Sequence, residues 1–99
     1  MAQTITLIGA PTDVGASCRG ASMGPEALRV ARLQAMLESQ GRVVLDRGNL
    51  SGPANPETPP VDGLRHLAEV TAWNQAVYAA VLAELEGRRL PIVLGGDHS

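Results

Sequence analysis

The residues best equipped for chemistry stand together at Asp97, His98 and Ser99, directly after the pair Gly95-Gly96. An acid, an imidazole and a hydroxyl suggest a nucleophilic triad, but adjacent side chains on extended backbone point to opposite sides and cannot converge. The nucleophile elbow G-x-S-x-G is absent as well. His98 is better considered as a metal ligand, because neutral imidazole is the commonest one and a strand end fixes its direction. A hydrogen-bonded structural histidine is the alternative at this point. His66 lies among charged residues with no partner at ligand spacing and reads as a surface residue. Asp13 and Asp46 fall in a loop and at a strand end, which suits turn or capping residues better than ligands.

Several elements must deliver that trio. Leu90-Pro91-Ile92-Val93-Leu94 is too short for a helix and reads as a buried strand that stops at the two glycines. Ligands of open α/β sheets sit beyond the carboxyl ends of the strands, where Asp97 and its neighbours would emerge. Ile5 to Ile8 reads as a first buried strand and Arg42 to Asp46 as a second. Between them, Gly9, Gly15, Gly20 and Gly24 punctuate a long loop, and a helix is expected from Pro25 to a stop at Gly41. Its apolar stripe is Ala27, Val30, Ala31, Leu33 and Leu37, with Arg29, Arg32, Glu38 and Gln40 largely off it. The stretch from Gly48 to Val61, with four prolines, reads as an irregular surface excursion. Asp62 can cap a long second helix that stops at Gly87. Strand, helix, strand, helix, strand predicts a parallel sheet with right-handed crossovers.

Composition excludes several functions. The 99 residues make at most one small domain, with 44% hydrophobic and 18% charged residues. A net charge of −2 gives no electrostatic case for nucleic acid or an anionic membrane. No apolar stretch approaches a membrane span. Phenylalanine is absent and Trp73 and Tyr78 are the only aromatics, too few for a base-stacking platform. Met1-Ala2-Gln3-Thr4 lacks the positive segment of a signal peptide, and the single Cys18 suits a reducing cytosol, so a cytoplasmic location is expected. The glycine-rich loop matches neither G-x-G-x-x-G nor the P-loop pattern. It could bind an anion on backbone N–H groups, or simply need positive φ angles.

Ile8-Gly9-Ala10-Pro11, then Arg19-Gly20 with Gly24-Pro25 and Leu28-Arg29, then Pro91 through Ser99 resemble the N-terminal third of an arginase, in the family's order and spacing. Leu94-Gly95-Gly96-Asp97-His98-Ser99 is the segment most specific to the ureohydrolases. The resemblance implies the N-terminal part of a three-layer α/β/α parallel-sheet fold, with residues 1–99 an incomplete portion of a single domain. It also implies two manganese ions per complete subunit and hydrolysis of the L-arginine guanidinium to L-ornithine and urea. His98 matches the histidine that ligates one metal, and Asp97 and Ser99 would orient the loop.

Manganese binds weakly among divalent metals, so its sites lean on carboxylates with few imidazoles. Two such ions sharing a bridging water lower its pKa and place hydroxide against an electrophilic carbon. The family's Asp-x-His-x-Asp and Asp-x-Asp segments, its proton-shuttle histidine and its contacts to the substrate's α-amino and α-carboxylate groups do not occur here. The 99 residues as a separate molecule are therefore expected to be inactive, with sheet edges and apolar faces exposed. Agmatinases and other guanidino-substrate ureohydrolases share the Gly-Gly-Asp-His motif, but the loop Arg19-Gly20-Ala21-Ser22-Met23-Gly24-Pro25 looks like arginase. By the same resemblance the full-length protein would be a homo-oligomer, a trimer or hexamer. The reading from another class is a non-catalytic short α/β module or truncated gene product.

Overall fold

The computed structural model describes residues 3–16 and 20–97. Three parallel strands, β1 (Ile5–Ala10), β2 (Val44–Asn49) and β3 (Leu90–Gly95), form one sheet in the order β2-β1-β3. Every residue of the central β1 is buried. Its register pairs Ile5 with both Val44 and Leu90, and Leu7 with Ile92, so alternate side chains fall into common rows. One row makes the core: Ile5, Leu7, Val44 and Leu94, with Leu33, Leu37 and Ile92 packed against it.

Two short helices, α1 (Gly24–Val30) and α2 (Leu33–Ser39), cover that row, and the 20-residue α3 (Leu67–Glu86) returns the chain to β3. A chain that steps from β1 to β2 and back across to β3 through right-handed crossovers must place its helices on opposite faces. The result is the expected α/β arrangement of helix layers around a parallel sheet. Leu90 and Val93 on β3, and Tyr78 and Leu85 on α3, stay exposed.

Three expectations need correction. The single helix from Pro25 to Gly41 is broken at Arg32, whose left-handed backbone (φ 67, ψ 42) redirects the chain. Of the expected stripe, Leu33 and Leu37 pack on the core while Val30 stays exposed, and Arg29 reaches the end of β2. Asp62 does not cap the long helix: it and Gly63 both take positive φ, in a tight turn closed by paired hydrogen bonds between Val61 and Leu64. Asp-Gly is a favoured pair where both central residues need φ > 0. The helix starts five residues later, and His66 is its N-terminal boundary.

The third correction is His66 itself. It is buried at 8% exposure.

Candidate functional site

The carboxyl edge of the sheet brings together two stretches that lie about 80 residues apart in the chain. The amide N–H of Asp97 donates to the carbonyl of Thr12 at 3.1 Å, joining the loop after β3 to the loop after β1. A Cβ on Gly96 would lie 2.5 Å from that same Thr12 carbonyl and would also strike the carbonyl of Ala21. Gly24 rests against the carbonyl of Gly95 with equally little room. Contact this close requires that Gly24 and Gly96 carry no Cβ facing the carbonyls they meet. The glycines are therefore spent on packing two loops together.

Within the loop, Asp13 is buried and its carboxylate closes the turn. It accepts the Gly20 amide N–H at 3.1 Å and the Asn55 side-chain N–H at 3.2 Å. Val14 donates its amide to the Thr12 hydroxyl at 3.2 Å. Asp13 is thus the turn residue that its position suggested, with Asn55 as a second partner from the proline-rich stretch. That stretch has no regular structure between residues 51 and 60, yet it is tied at three points. Asn55 holds Asp13, Trp73 donates its indole N–H to the Pro53 carbonyl at 2.7 Å, and Thr58 meets His66.

His66 joins two loops to the start of α3. Its Nδ1 lies 2.6 Å from the Val14 carbonyl, and its Nε2 lies 3.2 Å from the Thr58 amide nitrogen. Leu64 and Leu67 beside it are exposed, so no local pattern marked this histidine as inward-facing. Nothing in residue type alone marked Asn55, whose role depends on a contact 42 positions away.

Asp46 belongs to a different cluster, at the end of β2. Arg29 grips it through Nε at 2.9 Å and Nη2 at 3.1 Å, and also reaches Glu26 and Asn49. The Arg29 hydrogen bonds hold the Asp46 carboxyl below its ordinary range against the opposing cost of burial, and the Gly48 amide adds to the effect. Asp46 is a turn residue, as its position indicated, and also an ion-pair partner of Arg29, which its position did not indicate. On α3, Glu84 joins Arg89 at 2.5 Å and Arg47 at 2.8 Å, and those bonds lower its carboxyl pKa.

Asp97 opens onto a cleft of about 510 Å³, lined by Thr12, Trp73, Asn74, Val77 and Gly96 among others. Its position beyond β3 is the delivery point expected for the Asp97-His98-Ser99 trio. His98 and Ser99, together with Cys18 and Arg19, lie outside the described residues. Among the described residues no group of three or more His, Cys, Asp or Glu could hold a metal ion. These residues alone do not fit a two-manganese centre. What they provide is a braced backbone platform at the carboxyl edge, reaching as far as Asp97.

Comparison with known proteins bears on the family of the whole matched region. The model described as the arginase family matches residues 3–99. An arginase of Bacillus subtilis (strain 168) is 41% identical over 100 residues, spanning 100% of this chain and 33% of that protein. An arginase of Brevibacillus brevis is 35% identical, again across 100% of this chain and 33% of the relative. The native structure of Bacillus caldovelox arginase superposes with a TM-score of 0.86 at 37% identity, covering 97% of this chain and 33% of that one. This chain spans about a third of the length of the curated relatives it matches.

Proposed function

This chain belongs to the arginase family, and from that premise we propose that it forms the N-terminal third of a manganese-dependent arginase converting L-arginine to L-ornithine and urea. The observation that carries the reading is the junction at the sheet's carboxyl edge. The two stretches that most resemble arginases, the glycine-rich loop and Leu94-Gly95-Gly96-Asp97, are the ones joined there by the Thr12–Asp97 hydrogen bond.

In this reading His98 is a ligand to one manganese ion, and the remaining ligands come from the two-thirds of sequence that the relatives carry beyond the matched region. The platform's part is support: the Gly95 carbonyl packs on Gly24, and Gly96 packs on Thr12 and Ala21, which fixes the backbone leading to Asp97. The matched third on its own would be inactive. The complete protein would be a cytoplasmic homo-oligomer, trimer or hexamer, and light scattering on the purified protein checks the assembly.

The deciding experiment is expression of the full-length protein, metal analysis, and urea release from L-arginine and from agmatine. Two manganese ions per subunit, urea from arginine and loss of bound metal in His98→Ala are expected. Urea from agmatine alone would shift the substrate to another ureohydrolase class. No manganese uptake and no hydrolysis of either guanidine would leave a non-catalytic module.

A further inference from the structure

We propose that His66 is a positioning residue for the end of β3, acting on Asp97 through the glycine-rich loop. The consequence for turnover rests on the arginase reading; the hydrogen-bond path does not.

The path has three links. A nitrogen 2.6 Å from a carbonyl oxygen must carry a proton, so His66 Nδ1–H donates to Val14. Val14 donates to the Thr12 hydroxyl at 3.2 Å, and the Thr12 carbonyl accepts the Asp97 amide at 3.1 Å. The imidazole is held from its other side, where, with Nδ1 as the donor, Nε2 accepts the Thr58 N–H at 3.2 Å. His66 is 8% exposed and Val14 1%, so in the native protein the imidazole and not bulk solvent satisfies the Val14 carbonyl. A buried carbonyl that loses its donor drives the backbone to find another. Any shift of residues 12–14 meets Gly96 at once, because the Thr12 carbonyl occupies the space a Cβ there would need.

The backbone at His66 is left-handed (φ 49, ψ 47), which supplies the control. Glycine adopts that conformation freely, so His66→Gly removes the imidazole without straining the backbone. Asparagine tolerates it too, and its carboxamide N–H can take the place of Nδ1–H.

The test is amide hydrogen exchange in the full-length protein together with steady-state kinetics on L-arginine. His66→Gly should speed exchange at Asp97 at least fivefold while leaving Leu7 in central β1 unchanged. It should lower kcat at least fivefold with KM within twofold, and His66→Asn should restore both readouts towards wild type. An Asp97 rate changed less than fivefold, acceleration that is uniform across the sheet, an unaltered kcat, or no recovery in His66→Asn would each overturn the proposal. A wild-type protein without arginine hydrolysis but with the selective exchange pattern would remove the arginase reading and leave the tether standing.

Discussion

Gly24, the first residue of α1, rests on the backbone carbonyl of Gly95, the last residue of β3, with no space for a Cβ between them. Helix propensity favours replacing Gly24 with alanine by about 1 kcal/mol, and its φ of −52° suits any residue. Overpacking against a fixed backbone carbonyl costs roughly 1–3 kcal/mol, and the displaced group here is main chain rather than a yielding side chain. The clash should win. Gly24→Ala is expected to lower the denaturation midpoint, and arginine hydrolysis by the full-length protein should fall with it. A midpoint that rises would mean that propensity governs this position and that the junction is looser than described.

Trp73 supports the junction from the other side. Its ring lies on Gly52, where a Cβ would approach within 2.5 Å, and its indole N–H holds the Pro53 carbonyl. Trp73→Phe keeps most of the apolar contact and deletes the donor, which should cost about 1 kcal/mol. The effect should be local. Limited proteolysis is expected to cut within residues 51–60 faster in the variant, with global unfolding shifted only modestly. Equal cleavage rates in the two proteins would show that the hydrogen bond does not restrain this stretch.

Residue patterns carried the fold further than they carried the site. Three short apolar runs ending at glycine or aspartate were enough to place all three strands, although only β1 is buried along its length, and the expected burial of Leu90–Leu94 holds fully for Leu94 alone. Arg32 shows where such reading stops. Its left-handed backbone has no local signal in the residue types, and it separates α1, which carries Arg29 to Asp46, from α2, which packs Leu33 and Leu37 on the core. Asp62-Gly63 did carry a legible turn signal, which the apolar periodicity of the following helix masked. His66 and Asn55 acquire their roles from Val14 and Asp13, each more than 40 positions away. Asp97 stood out because two glycines precede it; the structure explains Gly96, which packs on Thr12 and Ala21, whereas a Cβ on Gly95 would meet open space.

Acid sensitivity should originate in two ion-paired carboxylates. Hydrogen bonds from Arg29 depress the Asp46 pKa, and those from Arg89 and then Arg47 depress that of Glu84, below ordinary values of 3.8 and 4.5. A carboxyl whose pKa is lowered in the folded state stabilises it in full above its unfolded pKa. That contribution is lost as pH falls through the lowered folded value. Urea midpoints should therefore be flat above about pH 5 from these two groups and decline below about pH 4.5. The double variant Asp46→Asn, Glu84→Gln should start from a lower midpoint at neutral pH and show a shallower acid decline. An acid decline as steep as that of wild type would place the responsible carboxylates elsewhere.

Arg32 offers a test in the stabilising direction. A non-glycine residue in left-handed backbone carries about 1 kcal/mol of conformational cost, which glycine avoids. Glycine also loses more freedom on folding, which returns part of that gain. Arg32 is exposed, and no hydrogen bond of its guanidinium is seen among the described residues. Its backbone is engaged, with its amide donating to Arg29 and its carbonyl accepting from Met36, and glycine retains both bonds. Arg32→Gly is therefore expected to be neutral to stabilising by up to about 1 kcal/mol, whereas glycine inside a continuous helix would cost about that much. Arg32→Pro should fail, since proline fixes φ near −65° and the observed value is 67°. Thermal melts of the two variants decide between a broken and a continuous helix: destabilisation by glycine of about 1 kcal/mol would mean that residues 24–39 form a single helix after all.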